Sequence, residues 1–183
     1  GVLLFLAADP AAAHVTADSA DPVGDGSVVL SFSFNHACPD AGTTGLSMRL
    51  PPGSVALAAT APPGWTGRVV GTAVEWSGAE IPSGQVTSVT VTARLAGQGG
   101  QALLFPTVQR CADGDGYDWS DADESAEEPA PRLVATAAVL DPALATARAE
   151  SGASAFDIAV AIAFFALVSG GAAFLWGRRW RRA

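Results

Sequence analysis

Strict two-residue alternation is the feature that most restricts this chain. Val28, Leu30, Phe32 and Phe34 interleave with Val29, Ser31 and Ser33. Leu46, Met48 and Leu50 interleave with Ser47 and Arg49. Val89, Val91, Ala93 and Leu95 interleave with Thr90, Thr92 and Arg94. Successive side chains of a strand point to opposite faces, so this period puts one face of each segment in a core and the other toward water. Val55–Ala59, Val74–Trp76, Leu103–Phe105 and Leu133–Val139 are further strand candidates. Turn formers stand between them, at Pro51-Pro52-Gly53, Pro62-Pro63-Gly64, Pro82-Ser83-Gly84 and Gly97 to Gly100. Glycine supplies positive φ and proline pre-sets φ for tight turns. Many short strands separated in this way predict an all-β, antiparallel sandwich. No helical period interrupts it, and no internal repeat is visible.

The two ends differ from this middle. Gly1-Val2-Leu3-Leu4-Phe5-Leu6-Ala7-Ala8 is apolar and leads to Ala11-Ala12-Ala13. An apolar run ending in small residues reads as the truncated tail of a secretory signal peptide over residues 1–13, cleaved before His14; a first strand is the plainer alternative. Ile158 to Trp176 is nineteen residues without a formal charge. A helix of that length spans a hydrocarbon core of about 30 Å, and helix satisfies every backbone polar group in lipid. Arg178, Arg179, Arg181 and Arg182 follow, which under the positive-inside bias puts the tail 177–183 in the cytoplasm. The expected organisation is a β-sandwich domain over 14–140, a linker or stalk over 141–157 and a single transmembrane helix over 158–176. The folded domain would then stand outside the cell, held at the cell membrane.

Charge narrows the partners. Residues 14–155 hold sixteen acids against six arginines, and the chain has no lysine. An acidic exterior without a basic stripe argues against nucleic acid and weakly favours cations. Asp121 to Glu128 carries five of these acids and reads as a solvated loop. Cys38 and Cys111 are the only cysteines and lie 73 positions apart. In an exported domain such a pair is a disulfide, and closing that loop stabilises by about 4 kcal/mol on the chain-entropy model. A two-thiolate metal site is the alternative, and it needs a reducing environment.

Cleavage before His14 would leave a histidine as residue one. Its ring nitrogen and free α-amine can then chelate one ion, and neutral nitrogen donors suit Cu(II). The amine, whose ordinary pKa is near 8, must shed its proton to bind. His36 is the other histidine. It is a second candidate ligand or a hydrogen-bonded loop residue.

Several segments together resemble the YcnI-like copper-binding domain of bacteria, in its cysteine-containing branch. They are His14-Val15-Thr16, Pro63-Gly64-Trp65, Val74-Glu75-Trp76-Ser77-Gly78 followed by Ile81-Pro82, Phe105-Pro106-Thr107-Val108-Gln109 and Pro129-Ala130-Pro131. His36-Ala37-Cys38 and Gln109-Arg110-Cys111 match that branch. The resemblance covers residues 14–140. It implies an immunoglobulin-like or cupredoxin-like sandwich and a role in copper handling. It also implies a Cu(II) site on the mature N-terminal His14, with a carboxylate and Trp119 beside it. The carboxylate does not carry over: the matching position holds Ser88, with Gln85 nearby. Glu80, Asp118 and Asp121 are possible substitutes. The loop formers around Trp119 favour a place near the surface over a core position.

Three function classes follow. The first is a membrane-anchored copper carrier or chaperone that delivers to another copper-transport or copper-chaperone protein. The second is a non-catalytic envelope adhesion or scaffold domain. The third is a copper-dependent oxidase, ranked last because no His pair, Ser–His–acid set or Cys–His set accompanies His14; an enzyme is not expected. The anchor has its own test. A chain ending near Gly152 is expected to be released as soluble protein, whereas carbonate-resistant membrane association of that shorter chain would place the anchor elsewhere.

Overall fold

The computed structural model describes residues 14–35, 38 and 41–141. They form eleven strands: β1 (Thr16–Pro22), β2 (Val28–Phe34), β3 (Thr43–Arg49), β4 (Val55–Thr60), β5 (Trp65–Val70), β6 (Ala73–Ile81), β7 (Thr87–Arg94), β8 (Ala102–Leu104), β9 (Thr107–Cys111), β10 (Gly116–Trp119) and β11 (Arg132–Val134). One sheet runs β1-β2-β7-β4 and the other β10-β9-β3-β6-β5; β11 and β8 form a short two-stranded ribbon. Every paired strand is antiparallel. The all-β, antiparallel reading therefore holds. His36 and the apolar segments 1–13 and 158–176 lie outside the described residues. Among the described residues no helix is long and apolar enough to cross a membrane.

The alternation does what its period requires. Val28, Leu30, Phe32 and Phe34 of β2 and Val89, Val91 and Ala93 of β7 are buried, with half-exposed Ser or Thr between most of them. Leu46 and Met48 of β3 and Val74 and Trp76 of β6 cover the facing sheet. Phe32 meets Phe105 edge-on at 5.1 Å between ring centroids, and Phe34 lies 5.9 Å from Trp65 of the other sheet. Trp76 is fully buried, and its indole N–H donates to the Thr60 carbonyl at 3.0 Å, tying β6 to β4 across the core. Two glycines are required by this packing. A side chain at Gly67 would strike the Trp76 ring, and one at Gly78 would strike the Trp65 ring.

Four strands escape the hydrophobic pattern: β1, β5, β9 and β10. β9 is the instructive one, because its inward residues are Thr107, Gln109 and Cys111 while Val108 faces out. β3 holds a second surprise. Its register shifts between Thr43 and Gly45 against both neighbours. This bulge moves Thr43 onto the same inward face as Leu46 and Met48, where unbroken alternation would have put Thr44. Leu133–Val139 shrinks to a three-residue strand, because Thr136–Val139 closes as a turn.

The sandwich core makes Phe32→Ala costly. A loss of about 3–5 kcal/mol is expected in urea unfolding, from lost burial plus the cavity left between the sheets. Val55→Ala, on the exposed start of β4, is expected to change stability by no more than about 0.5 kcal/mol. Comparable losses in the two variants would contradict this core assignment.

Candidate functional site

β1 begins one edge of its sheet and β10 begins the same side of the other. His14 and Trp119 meet across that seam. Val15 is buried at 2 % exposure and pins the chain just before β1, which leaves His14 half-exposed at the rim. Its ring centroid lies 5.7 Å from that of Trp119, with the planes tilted by 52°. Among the described residues, neither ring nitrogen of His14 has a hydrogen-bond partner. Tyr117, two residues before Trp119 on β10, stacks on it at 5.9 Å.

The placement of Trp119 corrects an expectation. It stands on a strand, not in a loop, and is 3 % exposed as part of the core cluster. It is at once a core residue and the neighbour of His14. Its indole N–H donates to Gln109 Oε1 at 3.0 Å. Gln109 is fully buried, and its amide N–H donates to Thr43 Oγ1 at 2.7 Å. Thr43 in turn lies 3.8 Å from Cys38 Sγ. Cys38 and Cys111 are joined as a disulfide. A buried polar line thus runs from the seam to the bridge. Buried polar groups need such partners, since each one left unpaired costs about 1–3 kcal/mol.

The carboxylates sort clearly. Glu80 accepts a hydrogen bond from the Gly42 backbone N–H at 2.6 Å and so ties the entry to β3 to the end of β6. Asp118 alternates with Trp119 on β10 and is exposed on the opposite face. Asp121 accepts from the Asp123 N–H at 3.0 Å within its own loop. Glu124 is the carboxylate that shares a groove with His14. The groove, about 330 Å³, is lined by His14 to Ala17, Glu124 and Pro129 to Arg132. Glu124 is paired with Arg132 at 3.2 Å, and Arg132 also donates to the Ala122 carbonyl at 2.9 Å. The sequence gives no sign of Glu124, which sits within the acidic run expected as solvated loop; its 75 % exposed side chain fits that description too. Beside it, Asp123 is held below its usual carboxylate range by hydrogen bonds from the Ser125 backbone N–H and hydroxyl.

These donors set a condition on metal binding. Among the described residues no three His, Cys, Asp or Glu side chains come together as a ligand group. His14 and Glu124 are two side-chain donors, and the carboxylate already has a cation beside it. The set fits a copper ion only when the His14 nitrogen is a free amine, which adds the missing donor.

Residues 67–135 match the family model described as "Domain of unknown function (DUF1775)", the family to which the YcnI-like resemblance points. The match spans less than half of the chain. No curated protein matches the sequence. The chain is similar to an uncharacterized protein from Nocardia farcinica whose crystal structure reveals an immunoglobulin-like fold. The identity is 26 % and the TM-score 0.57, over 67 % of this chain and 98 % of that one. The sandwich is accordingly immunoglobulin-like. A cohesin module from a Clostridium perfringens ATCC13124 family 33 glycoside hydrolase is 10 % identical over 58 % of this chain and 87 % of that one, with a TM-score of 0.40. The chitin-binding domain of a hyperthermophilic chitinase from Pyrococcus furiosus is 10 % identical over 60 % and 98 %, with a TM-score of 0.36. Neither likeness is strong enough to bear on this chain.

Because Trp119 is both buried and bonded, Trp119→Phe keeps most of the ring volume but strips a donor from Gln109. A loss of about 1–3 kcal/mol is expected in chemical denaturation. An unchanged midpoint would mean that the indole N–H is not needed there.

Proposed function

We propose that this immunoglobulin-like sandwich is an extracytoplasmic copper-binding domain. It carries Cu(II) on His14 as mature residue one and passes it to another copper-transport or copper-chaperone protein. The apolar segment 158–176 and the arginines after it support a single membrane anchor with the domain outside. One observation carries the metal reading: His14, whose ring nitrogens have no hydrogen bond among the described residues, sits beside the buried Trp119 in a groove that Glu124 also lines.

The parts of this site have separate work. Val15 holds the end of the chain so that His14 is presented at the rim. The imidazole and the α-amine supply two neutral nitrogens, a donor type that favours Cu(II) among divalent ions. Glu124 lines the same groove and lends it negative charge, partly offset by its pair with Arg132. Trp119 gives His14 a rigid apolar wall, because its own N–H is already satisfied by Gln109.

The test compares two proteins. The first is the chain cleaved so that His14 is the first residue; the second has one alanine before it. Titrated with Cu(II) against a competing chelator, the extended protein is expected to bind at least about tenfold more weakly, equivalent to 1.4 kcal/mol. His14→Ala is expected to weaken binding as well. Binding should also fall with acid, because the ring and the amine must both be unprotonated to bind. Equal affinities for the cleaved and extended proteins would remove the α-amine as a ligand and, with it, this reading.

A further inference from the structure

We infer that the Cys38–Cys111 bridge orients Trp119 in the His14 groove, through Thr43 and Gln109. Four side chains lie in one line: Trp119 Nε1 to Gln109 Oε1 at 3.0 Å, Gln109 Nε2 to Thr43 Oγ1 at 2.7 Å, and Thr43 Oγ1 to Cys38 Sγ at 3.8 Å. All four are buried, with Gln109 and Trp119 at 0 % and 3 % exposure.

The chemistry of the two ends gives this line a direction. An indole nitrogen only donates. A disulfide sulfur carries no hydrogen and only accepts. Trp119 therefore requires the carbonyl oxygen of Gln109, which turns the Gln109 amide N–H toward Thr43. The Thr43 hydroxyl accepts that bond and sends its own proton to Cys38. Reversing the Gln109 amide would set two N–H groups against each other. So the donor-only indole sets the Gln109 amide, the acceptor-only bridge takes the Thr43 proton, and each end of the line is held in one arrangement.

Backbone register explains why the line exists. Thr43 lies opposite Cys111 in the β3–β9 ladder, and Gln109 is two residues along β9 on the same inward face. Tyr117 lies opposite Gln109 in the β9–β10 ladder, which makes Trp119 a diagonal neighbour of Gln109. The bulge in β3 is what brings Thr43 inward to join them.

Reduction would remove the acceptor-only end. A dithiol reductant gives two electrons and two protons, the Cys38–Cys111 bond breaks into two thiols, and the reductant closes to its own disulfide. Cys38 then bears an S–H of its own, so the Thr43 hydroxyl is no longer fixed as the donor to sulfur, and the covalent tie from Cys38 to Cys111, two residues from Gln109 on β9, is gone; both changes loosen the line at its bridge end. The consequence for copper rests on the function proposed above; the orientation of the indole does not.

The experiment follows indole N–H signals by NMR in the metal-free, isotope-labelled full chain in detergent, with Trp119 assigned by Trp119→Phe. Thr43→Val removes the central hydroxyl with little change in shape, and Thr43→Ser keeps it. Thr43→Val is expected to move the Trp119 indole signal and speed its hydrogen exchange roughly fivefold, as for one net hydrogen bond. Thr43→Ser should restore it. The Trp76 indole, bonded to Thr60, serves as the internal reference and should stay still. Thr92→Val on β7, half-buried in the other sheet, should change neither signal. Reducing the wild-type bridge with a dithiol should reproduce the Thr43→Val shift, and this arm stands even if that variant fails to fold. An unmoved Trp119 signal in the reduced protein overturns the inference, as does equal movement of Trp76. Cu(II) titration of metal-free Thr43→Val, cleaved before His14, then separates the two readings. A shifted indole with weaker copper binding supports both. A shifted indole with unchanged affinity supports the orientation and counts against Trp119 as part of a copper site.

Discussion

Two apolar sheet faces that must cover one another are the constraint on which everything else in this domain depends. Each central strand presents large residues on one side only, and neither sheet can hide that side alone. Phe32, Phe105, Trp76, Leu46 and Met48 fill the space between them and are all fully buried. The seams at the two sides are then closed differently. On the β4–β5 side, Trp76 reaches across to the Thr60 carbonyl and Gly67 leaves room for its ring. On the β1–β10 side, Val15 and Trp119 fill the gap, and His14 is carried to the rim beside them.

Toward that second seam the core changes character. Thr43, Gln109 and the disulfide replace aliphatic side chains, and a fully buried amide sits where a leucine would pack. A polar interior of this kind is stable only when its members satisfy each other, and it then fixes a particular arrangement more tightly than an apolar core does. Trp119 gains a defined orientation from it. The same bulge that admits Thr43 thereby connects strand register to the geometry around His14. Covalent closure at Cys38–Cys111 and hydrogen bonding at Gln109 act on one structural unit.

Much of the fold was legible because it obeys a simple period. β2, β3 and β7 could be read from alternation, and the turns from Pro-Pro-Gly and Pro-Ser-Gly. β9 and β10 could not. Their inward faces carry Thr107, Gln109, Cys111, Tyr117 and Trp119, a set whose polar members hide the hydrophobic rhythm. The loop formers around Trp119 pointed to the surface, yet Gly116 begins a strand there, and the tryptophan is among the core residues. The carboxylate of the groove was equally hidden. Glu124 resembles its acidic neighbours in composition, and only the return of the chain through Pro129–Arg132 brings it alongside His14.

What the sequence determined by itself was the class of fold, the one possible partner of each cysteine and the histidine worth watching; that the two cysteines are bonded is seen in the structure. Those follow from local rules: strand geometry has a period of two, two cysteines leave each with a single possible partner, and an imidazole offers ring nitrogens as donors. Tertiary structure decided which groups meet. Residues 14, 43, 109, 119 and 124 belong to separate segments, and no spacing along the chain relates them. Their meeting depends on register, on one bulge in β3 and on which sheet edge each strand occupies. Those are set by the global competition to bury both sheet faces while leaving no buried polar group unpaired.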